Sequence, residues 1–156
     1  TGLETQTGGR LKKISHLIKN ERFMLTYGDG LADININKLL KFHKQHGKIG
    51  TITTVHPNAR FGELNLKGNT VIQFKEKPQT NGSWINGGFF IFEYEFLKFI
   101  KSSSTVLEKE PLEKLSKLKQ LMAFKHKDFW QCMDTKRDRD LLERLWNEKR
   151  TPWKCW

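Results

Sequence analysis

The 156-residue sequence has little cysteine, no long apolar run and no concentrated block of charge. Its two cysteines, Cys132 and Cys155, lie near one end without the spacing of metal ligands. No stretch approaches the roughly 20 apolar residues that a helix needs to cross a bilayer. The first residues, TGLETQTGGR, lack the basic start and apolar middle of a signal peptide. We therefore expect a soluble protein of a reducing cytoplasm with no membrane partner.

The charge balance is strongly basic, with 28 Lys and Arg against 17 Asp and Glu and a net charge of +11. Such an excess is compatible with nucleic acid, an anionic membrane or a small phosphorylated substrate. It is spread evenly, because residues 1–100 carry 14 basic and 8 acidic side chains and residues 101–156 carry 14 and 9. Without a basic arm or block, the pattern favours anionic small-molecule ligands over a nucleic-acid module.

Composition and periodicity predict one α/β domain over residues 1–156. A hydrophobic fraction of 37%, of which aromatic residues make up a large part, argues against disorder. Helices and strands alternate along the first half, which is typical of sheets with crossover connections. The expected elements there are a helix over 11–18, a strand over 23–27, a helix capped by Asp33 and Asn35 and ended by Gly47, and a strand over 49–55.

The second half continues the alternation and shows no repeat, linker or low-complexity segment. Alternating apolar residues around Lys67-Gly68-Asn69 predict a β-hairpin. The remaining expected elements are a strand over 85–92, a short helix near 95–100, a helix starting at Pro111, a strand over 121–126 and a helix over 136–149 that buries Leu141, Leu142, Leu145 and Trp146.

Several conspicuous residues have an ordinary structural interpretation. His43, His46 and His56 show no pattern of convergent partners, so we expect them on a helix face or on the surface. Trp130 is expected in the core, and the terminal Trp153 and Trp156 are expected to pack onto the domain or onto a neighbouring subunit.

Three short motifs stand at the ends of predicted strands, where open α/β sheets bind their ligands. They are Gly28-Asp29-Gly30, Lys75-Glu76-Lys77-Pro78 and the run from Trp130 to Thr135. Each also has a plain explanation: the first as a sharp turn, the second as a strand end on the surface. The third contains Asp134, which could simply cap the following helix.

Taken in this order, the motifs resemble those of the sugar-1-phosphate nucleotidyltransferases, in particular the cytidylyltransferases that act on glucose 1-phosphate. The resemblance covers essentially the whole chain, through segments that include FMLTYGDGLADININKLLKFHKQHGK, RFGELNL, FKEKP, SWINGGFFIFE, EPLEKL and FWQCMDTKRD. It implies a Rossmann-like fold with a mixed, mainly parallel sheet flanked by helices. It also implies a reaction in which CTP and α-D-glucose 1-phosphate give CDP-glucose and pyrophosphate, a step that supplies activated sugar for surface polysaccharide.

The resemblance assigns a role to each motif. Asp29 and Asp134 are implied as ligands of Mg²⁺, which favours one or two carboxylates completed by phosphate oxygens and water. Lys77 is implied to neutralise the sugar phosphate, and Glu76 is implied to accept hydrogen bonds from glucose hydroxyls. Cys132, although close to this site, is expected to serve packing, since the reaction needs no covalent protein nucleophile.

The remaining implied substrate contacts involve glycine-rich segments, where the main chain can approach a ligand closely. Near the sugar these are Gly62 and the Asn86-Gly87 turn, and Gly28 is implied as a further substrate contact. Near the nucleotide base and ribose they are Thr7, Gly8 and Gly9, which precede a helix.

The sequence departs from the family at its start, because the family's first strand and the glycine-rich loop that grips the triphosphate are missing from it. We therefore expect an incomplete domain that is marginal in stability and inactive alone. Three explanations stay open: a truncated cytidylyltransferase, one chain of an enzyme whose N-terminal part is a separate chain, or a non-catalytic module that binds sugar phosphate or another protein. A homo-oligomer is compatible with each.

Overall fold

The computed structural model describes residues 1–57, 63–75 and 83–154, and within them the predicted alternation of helices and strands is confirmed. The helices are α1 (Thr7–Lys13), α2 (Ile36–His46), α3 (Glu110–Lys117) and α4 (Lys136–Asn147), with 3₁₀ segments at Ser15–Leu17 and Tyr94–Phe99. The strands are β1 (Phe23–Thr26), β2 (Gly30–Ala32), β3 (Gly50–Val55), β4 (Glu63–Lys67), β5 (Thr70–Lys75), β6 (Ile85–Phe92), β7 (Leu121–Lys125) and β8 (Trp130–Cys132). The helix expected over 11–18 is shorter than predicted, because α1 ends at Lys13.

Local signals explain the bounds of α2. The side chain of Asn35 accepts a hydrogen bond from the backbone N–H of Lys38 at 2.9 Å, which satisfies a donor that the first helical turn leaves free. Gly47 ends the helix with a left-handed φ of 61°. Asn35 alone is the N-cap residue, so the expected contribution of Asp33 to the cap is wrong.

Four strands form a mixed sheet in the order β1-β6-β3-β7. Strand β6 is antiparallel to β1, and the bond from Glu93 N–H to Ile49 O joins the end of β6 to the start of β3. Strands β3 and β7 run parallel, because Gly50 bonds to Gln120 at their starts and His126 bonds to Thr54 at their ends. Strands β1, β3 and β7 therefore share one direction and β6 opposes them, so the sheet is mixed, as predicted.

The chain divides into two compact units. The first comprises Thr1–Tyr27, Asn35–Thr53 and Gly88–Phe124. Its core is an apolar cluster in which the rings of Phe92 and Phe96 stack with centroids 3.8 Å apart. The members of this cluster with the least exposure are Phe90, Phe92, Phe96, Ile100, Leu107 and Leu115.

The second unit comprises Gly28–Ile34, Thr54–Gly87 and Lys125–Trp156. It contains the antiparallel β2–β8 ribbon, the predicted β4–β5 hairpin and helix α4. In α4, Leu142 is buried as expected, whereas the expected burial of Trp146 is wrong, since 53% of that residue is exposed. The half-buried Trp153 packs against the ring of Phe129, with centroids 5.3 Å apart. The prediction of one domain over residues 1–156 stays a prediction.

Within the three described ranges, no helix is long and apolar enough to cross a membrane.

Candidate functional site

The β2–β8 ribbon brings together two acidic residues that are distant in sequence. The register pairs Gly30 with Cys132 and Ala32 with Trp130. The pairing extends past Gly30, because Met133 donates its backbone N–H to the carbonyl oxygen of Asp29 at 2.8 Å. Asp134 follows directly, so both aspartates lie at the same end of the ribbon, and both are exposed.

Asp134 does not cap α4. The N-cap is Thr135, whose hydroxyl oxygen accepts from the N–H of Asp138, while the Asp138 carboxylate accepts from the N–H of Thr135 at 3.0 Å. This reciprocal arrangement is a capping box, which leaves the Asp134 carboxylate outside the helix start. The interpretation of Asp134 as a helix cap is therefore wrong.

The Asp134 carboxylate instead accepts a hydrogen bond from the thiol of Cys132, with Sγ and Oδ2 3.3 Å apart. Burial, together with this bond and the nearby negative charge, raises the pKa of Cys132 to about 11. Cys132 is thus a neutral thiol at pH 7. A thiol held in the neutral form is a poor nucleophile, which agrees with its expected packing role.

The backbone conformation at position 28 does not require a glycine. Its φ is not positive, and a Cβ added there would meet no described atom within 4 Å. The interpretation of Gly28-Asp29-Gly30 as a turn that requires glycine therefore does not hold at position 28. The backbone bends at residues 28 and 29 and then enters β2. Open space adjoins Gly28, immediately before the first of the two aspartates.

Asn86 and Gly87 lie within β6, so their description as a turn is wrong. Gly87 is buried, and its carbonyl oxygen accepts a hydrogen bond from the indole N–H of Trp130 at 2.8 Å. The first residues of β6 are thereby linked to β8. Trp130, which is half-buried, serves this bond as well as packing.

Sequence reasoning missed a buried histidine beside the ribbon. His126 is 6% exposed, and its Nε2 lies 3.0 Å from Oδ1 of Asp33 and 3.0 Å from the carbonyl oxygen of Phe129. Asp33 also donates its backbone N–H to Phe129 O at 3.3 Å. Neither residue stands in a recognisable spacing motif, because the pair forms only when β2 aligns with β8.

The segment Thr7-Gly8-Gly9 lies in the first unit and begins α1. The hydroxyl of Thr7 donates to Glu108 Oε2 at 2.8 Å and accepts from the N–H of Leu107 at 2.9 Å. A Cβ on Gly8 would lie 2.9 Å from the carbonyl oxygen of Thr105, and one on Gly9 would lie 2.0 Å from that of Ser103. Close packing therefore accounts for both glycines, and contact with a nucleotide stays a prediction for this segment.

Three predicted site residues, Gly62, Glu76 and Lys77, lie outside the described residues. Within the described residues no group of three or more His, Cys, Asp or Glu side chains could hold a metal ion. Asp29 and Asp134 are thus a pair of carboxylates without a third protein ligand among the residues that the structure describes. Such a pair suits an ion that takes its other ligands from substrate and water.

Comparison with known proteins identifies the family of this chain. Residues 3–147 match the family model described as nucleotidyl transferase. The glucose-1-phosphate cytidylyltransferase of Salmonella typhimurium is 46% identical over 157 residues, which cover 100% of this chain and 61% of that protein. The probable glucose-1-phosphate cytidylyltransferase of Bacillus subtilis is 36% identical over the same shares.

Among solved structures, a putative glucose-1-phosphate thymidylyltransferase from Bacillus anthracis superposes with a TM-score of 0.69 at 15% sequence identity. The match covers 96% of this chain and 63% of the other, and it confirms the predicted Rossmann-like fold. The chain thus spans 61% of the length of these curated relatives. Since the family model spans most of the sequence and the relatives align along all of it, this chain belongs to the nucleotidyl transferase family.

Proposed function

We propose that this chain is the sugar-binding and metal-binding portion of a glucose-1-phosphate cytidylyltransferase. The reaction is the attack of α-D-glucose 1-phosphate on CTP, which gives CDP-glucose and pyrophosphate. The observation that carries this function is the β2–β8 pairing, which places Asp29 and Asp134 at one end of a ribbon. The choice of CTP and glucose 1-phosphate follows from the two cytidylyltransferases that align along the whole chain. A cytoplasmic location and a role in supplying sugar for surface polysaccharide belong to the same proposal.

The two aspartates fit Mg²⁺ in number, chemistry and exposure. Magnesium is held in proteins by one or two carboxylates, and its remaining positions are taken by substrate phosphates and water. Asp29 and Asp134 are exposed carboxylates on neighbouring segments, so they would hold the ion. When bound, the ion supplies positive charge that offsets the charge on the reacting phosphates.

The protein's main contribution to this reaction is positioning. A phosphate oxygen of glucose 1-phosphate forms a bond to the α-phosphorus of CTP, while the bond from that phosphorus to the pyrophosphate oxygen breaks. Two polyanions must meet, so a cation at the sugar phosphate lowers the cost of bringing them together. Lys77 is the residue we assign to this task, and Glu76 would orient the sugar by accepting hydrogen bonds from its hydroxyls.

The remaining substrate contacts are proposed on main-chain positions. Gly62, Asn86 and Gly87 would line the sugar, and the open space beside Gly28 leaves room for a ligand next to Asp29. In the first unit, Thr7, Gly8 and Gly9 would contact the nucleotide base and ribose. No protein nucleophile is needed, in keeping with the neutral thiol of Cys132.

A non-catalytic module is the second candidate function. On this reading the chain binds a sugar phosphate, or another protein, without transferring a nucleotide. The two candidates differ in one measurable respect, which is turnover once the part of a relative that this chain does not match is supplied.

The deciding experiment measures pyrophosphate release from CTP and glucose 1-phosphate with Mg²⁺. It compares this chain alone with the same chain fused to the part of the Salmonella typhimurium relative that it does not match. We expect turnover from the fusion and little from the chain alone. In the fusion, Asp29→Asn and Asp134→Asn should each lower kcat/KM by at least about 100-fold, because each removes a metal ligand.

The matched control is Glu143→Gln, which removes an exposed carboxylate of α4 in the same unit. It should leave turnover unchanged. A fusion without turnover would favour the non-catalytic module, and full activity in either aspartate variant would refute the metal assignment. Parallel assays with GTP and mannose 1-phosphate, and with dTTP and glucose 1-phosphate, test the substrate choice independently of the reaction class.

A further inference from the structure

We propose that Asp33 and His126 are positioning residues that hold the β2–β8 ribbon in register, and thereby hold Asp29 and Asp134 together. This inference rests on the proposed metal site. The two residues lie at the end of the ribbon opposite the aspartates, and they belong to the same compact unit.

The ribbon is too short to fix its own register. Each strand has three residues, whereas strands in globular proteins usually have about five or six. Side chains alternate between the two faces of a strand, so a slip of one residue would turn every side chain of β2 to the opposite face. Such a slip would also break the bond between Asp29 O and Met133 N–H. The proposed metal site therefore depends on the contacts that prevent this slip.

Backbone hydrogen bonds also join the two segments just beyond each end of the paired residues. At the acidic end, Met133 donates to Asp29 at 2.8 Å. At the other end, Asp33 donates its N–H to Phe129 O at 3.3 Å, which is a long and correspondingly weak bond. The side chain of His126 reinforces this end, because Nε2 reaches both Asp33 Oδ1 and Phe129 O at 3.0 Å. One imidazole thus joins the residue after β2 to the residue before β8.

His126 is itself well anchored. Its backbone N–H donates to Thr54 O at 2.9 Å at the end of β3, and 6% of the residue is exposed. Its two Nε2 contacts are to oxygen acceptors, one a carboxylate and one a carbonyl, so Nε2 carries a proton and acts as a donor. A buried donor with two acceptors resists displacement, since a buried N–H that loses its acceptors costs free energy. The pair therefore links the ribbon to the end of β3.

Removing either residue of this pair should change the affinity of the site for a metal ion more than it changes folding. Groups that orient metal ligands without touching the ion commonly change affinity by about 10-fold to 100-fold when they are removed. If His126 acts through the register, its loss must weaken ion binding at Asp29 and Asp134 even in protein that remains folded. A purely structural histidine would lower the melting temperature and leave the affinity of the folded molecules unchanged.

The test uses Mn²⁺ alone as the probe and this chain as it stands. Paramagnetic broadening of the amide resonances of residues 28–34 and 129–134 reports ion binding at the ribbon, and thermal unfolding of the same samples reports stability. We expect His126→Leu to raise the Mn²⁺ concentration for half broadening by about 10-fold. His126→Gln should restore near wild-type affinity, because the amide nitrogen of glutamine can replace Nε2–H as the donor.

Asp33→Ala provides an independent variant, since the Asp33 side chain is 31% exposed and can be removed if His126→Leu does not fold. It should weaken Mn²⁺ binding by a similar factor. Asp29→Asn separates this inference from the proposed function on which it depends. If wild type shows no broadening, or Asp29→Asn does not reduce it, both the metal site and this inference are refuted. If Asp29→Asn abolishes broadening while folded His126→Leu and Asp33→Ala bind as wild type, only the positioning role is overturned.

Discussion

Nε2 of His43 lies 3.1 Å from Oε1 of Glu93, at the end of a directed chain of hydrogen bonds. Lys48 donates its N–H to His46 Nδ1 at 2.9 Å, so the proton of neutral His46 is on Nε2. That proton is donated to Thr51 Oγ1 at 2.7 Å, and the Thr51 hydroxyl in turn donates to His43 Nδ1 at 2.7 Å. His43 then has its own proton on Nε2, facing Glu93. This series of hydrogen bonds requires the imidazoles of both His43 and His46 to be neutral.

The surroundings of the chain favour these protonation states. Burial lowers the pKa of His43, and burial lowers the pKa of His46, together with the charge that His43 carries once protonated and the charge of Lys48. Burial acts to raise the pKa of Glu93, but hydrogen bonds from Arg22 and His43 outweigh it and lower that pKa overall. Because of all three shifts, the free energy of unfolding is larger at neutral pH than in acid.

The first prediction is a loss of stability on mild acidification. The unfolded chain takes up protons on these histidines below their ordinary pKa of 6.5, whereas the folded protein resists doing so. The free energy of unfolding should therefore fall as the pH drops below 6.5, by up to about 1.4 kcal/mol per pH unit for each histidine. Below the ordinary pKa of 4.5 for Glu93, protonation of that carboxylate adds to the loss. Urea unfolding between pH 7.5 and pH 5 measures the loss from the histidines, and extending the series to pH 4 measures the addition from Glu93.

Two variants control for other titrating groups. His46→Gln removes one of the two titrating imidazoles and should reduce the pH slope. His16→Gln removes an exposed histidine and should leave the slope unchanged. Equal slopes in wild type and His46→Gln would show that the hydrogen-bond chain does not control acid stability.

The second prediction concerns Gly88, which has a φ of 79° and packs against Tyr27. A Cβ there would lie 2.8 Å from Cδ2 of Tyr27. The Tyr27 ring cannot easily move away, since its hydroxyl bonds to Glu108 and its backbone N–H donates to Gly88 O at 2.9 Å. Gly88→Ala should therefore lower the free energy of unfolding by about 3 kcal/mol, through backbone strain and overpacking combined.

Gly68 is the matched control, because its φ of 58° is also left-handed but a Cβ would meet nothing described within 4 Å. Gly68→Ala should lower the free energy of unfolding by only about 1 kcal/mol, the cost of holding alanine in a left-handed conformation. Urea unfolding of both variants isolates the contribution of the Tyr27 contact. Equal losses would mean that Tyr27 moves aside.

The third prediction separates the roles of two adjacent residues at the start of α4. Thr135→Ala removes the N-cap and should lower stability by about 1 kcal/mol. Asp134→Asn should leave stability within about 0.5 kcal/mol of wild type, because this side chain is exposed and does not cap the helix. Thermal unfolding in the absence of metal compares them. A larger loss in Asp134→Asn than in Thr135→Ala would return Asp134 to a structural role.

The fourth prediction contrasts two glycines assigned to substrate contacts. Gly9→Ala should destabilise the chain by about 3 kcal/mol, because its Cβ would lie 2.0 Å from the backbone oxygen of Ser103. Gly28→Ala should fold normally, since open space adjoins that position. In the fusion protein, Gly28→Ala should nevertheless raise KM for glucose 1-phosphate. Normal stability together with unchanged KM would remove Gly28 from the proposed sugar pocket.

The fifth prediction is slow alkylation of Cys132. Its pKa is raised from 9.0 to about 11, so the reactive thiolate at pH 8 is about 100-fold scarcer than for an unperturbed thiol. Iodoacetamide labelling followed by peptide mass spectrometry resolves Cys132 from Cys155. Asp134→Asn should accelerate the labelling of Cys132 by lowering this pKa. Labelling as fast as that of a model thiol would contradict the raised pKa, and with it the burial of Cys132 and its contact with Asp134.

The sequence was a reliable guide wherever the determining contacts are local. The N-cap at Asn35, the left-handed glycine at Gly47 and the hairpin at Gly68 all involve residues within one or two turns of the chain. It failed where distant segments decide. His43 lies on a face of α2, which was one of its two expected positions, but the sequence did not show that β3 supplies Thr51 and the segment after β6 supplies Glu93 as its hydrogen-bond partners.

The amino-acid order by itself determined the alternation of helices and strands, since periodicity and caps act over a few residues. It also carried the motifs that marked Asp29 and Asp134. Only the tertiary structure decided that β2 pairs with β8, that Thr135 rather than Asp134 caps α4, and that His126 reaches Asp33. The physical reason is that hydrogen bonds between segments far apart in sequence depend on strand register, which no local pattern specifies.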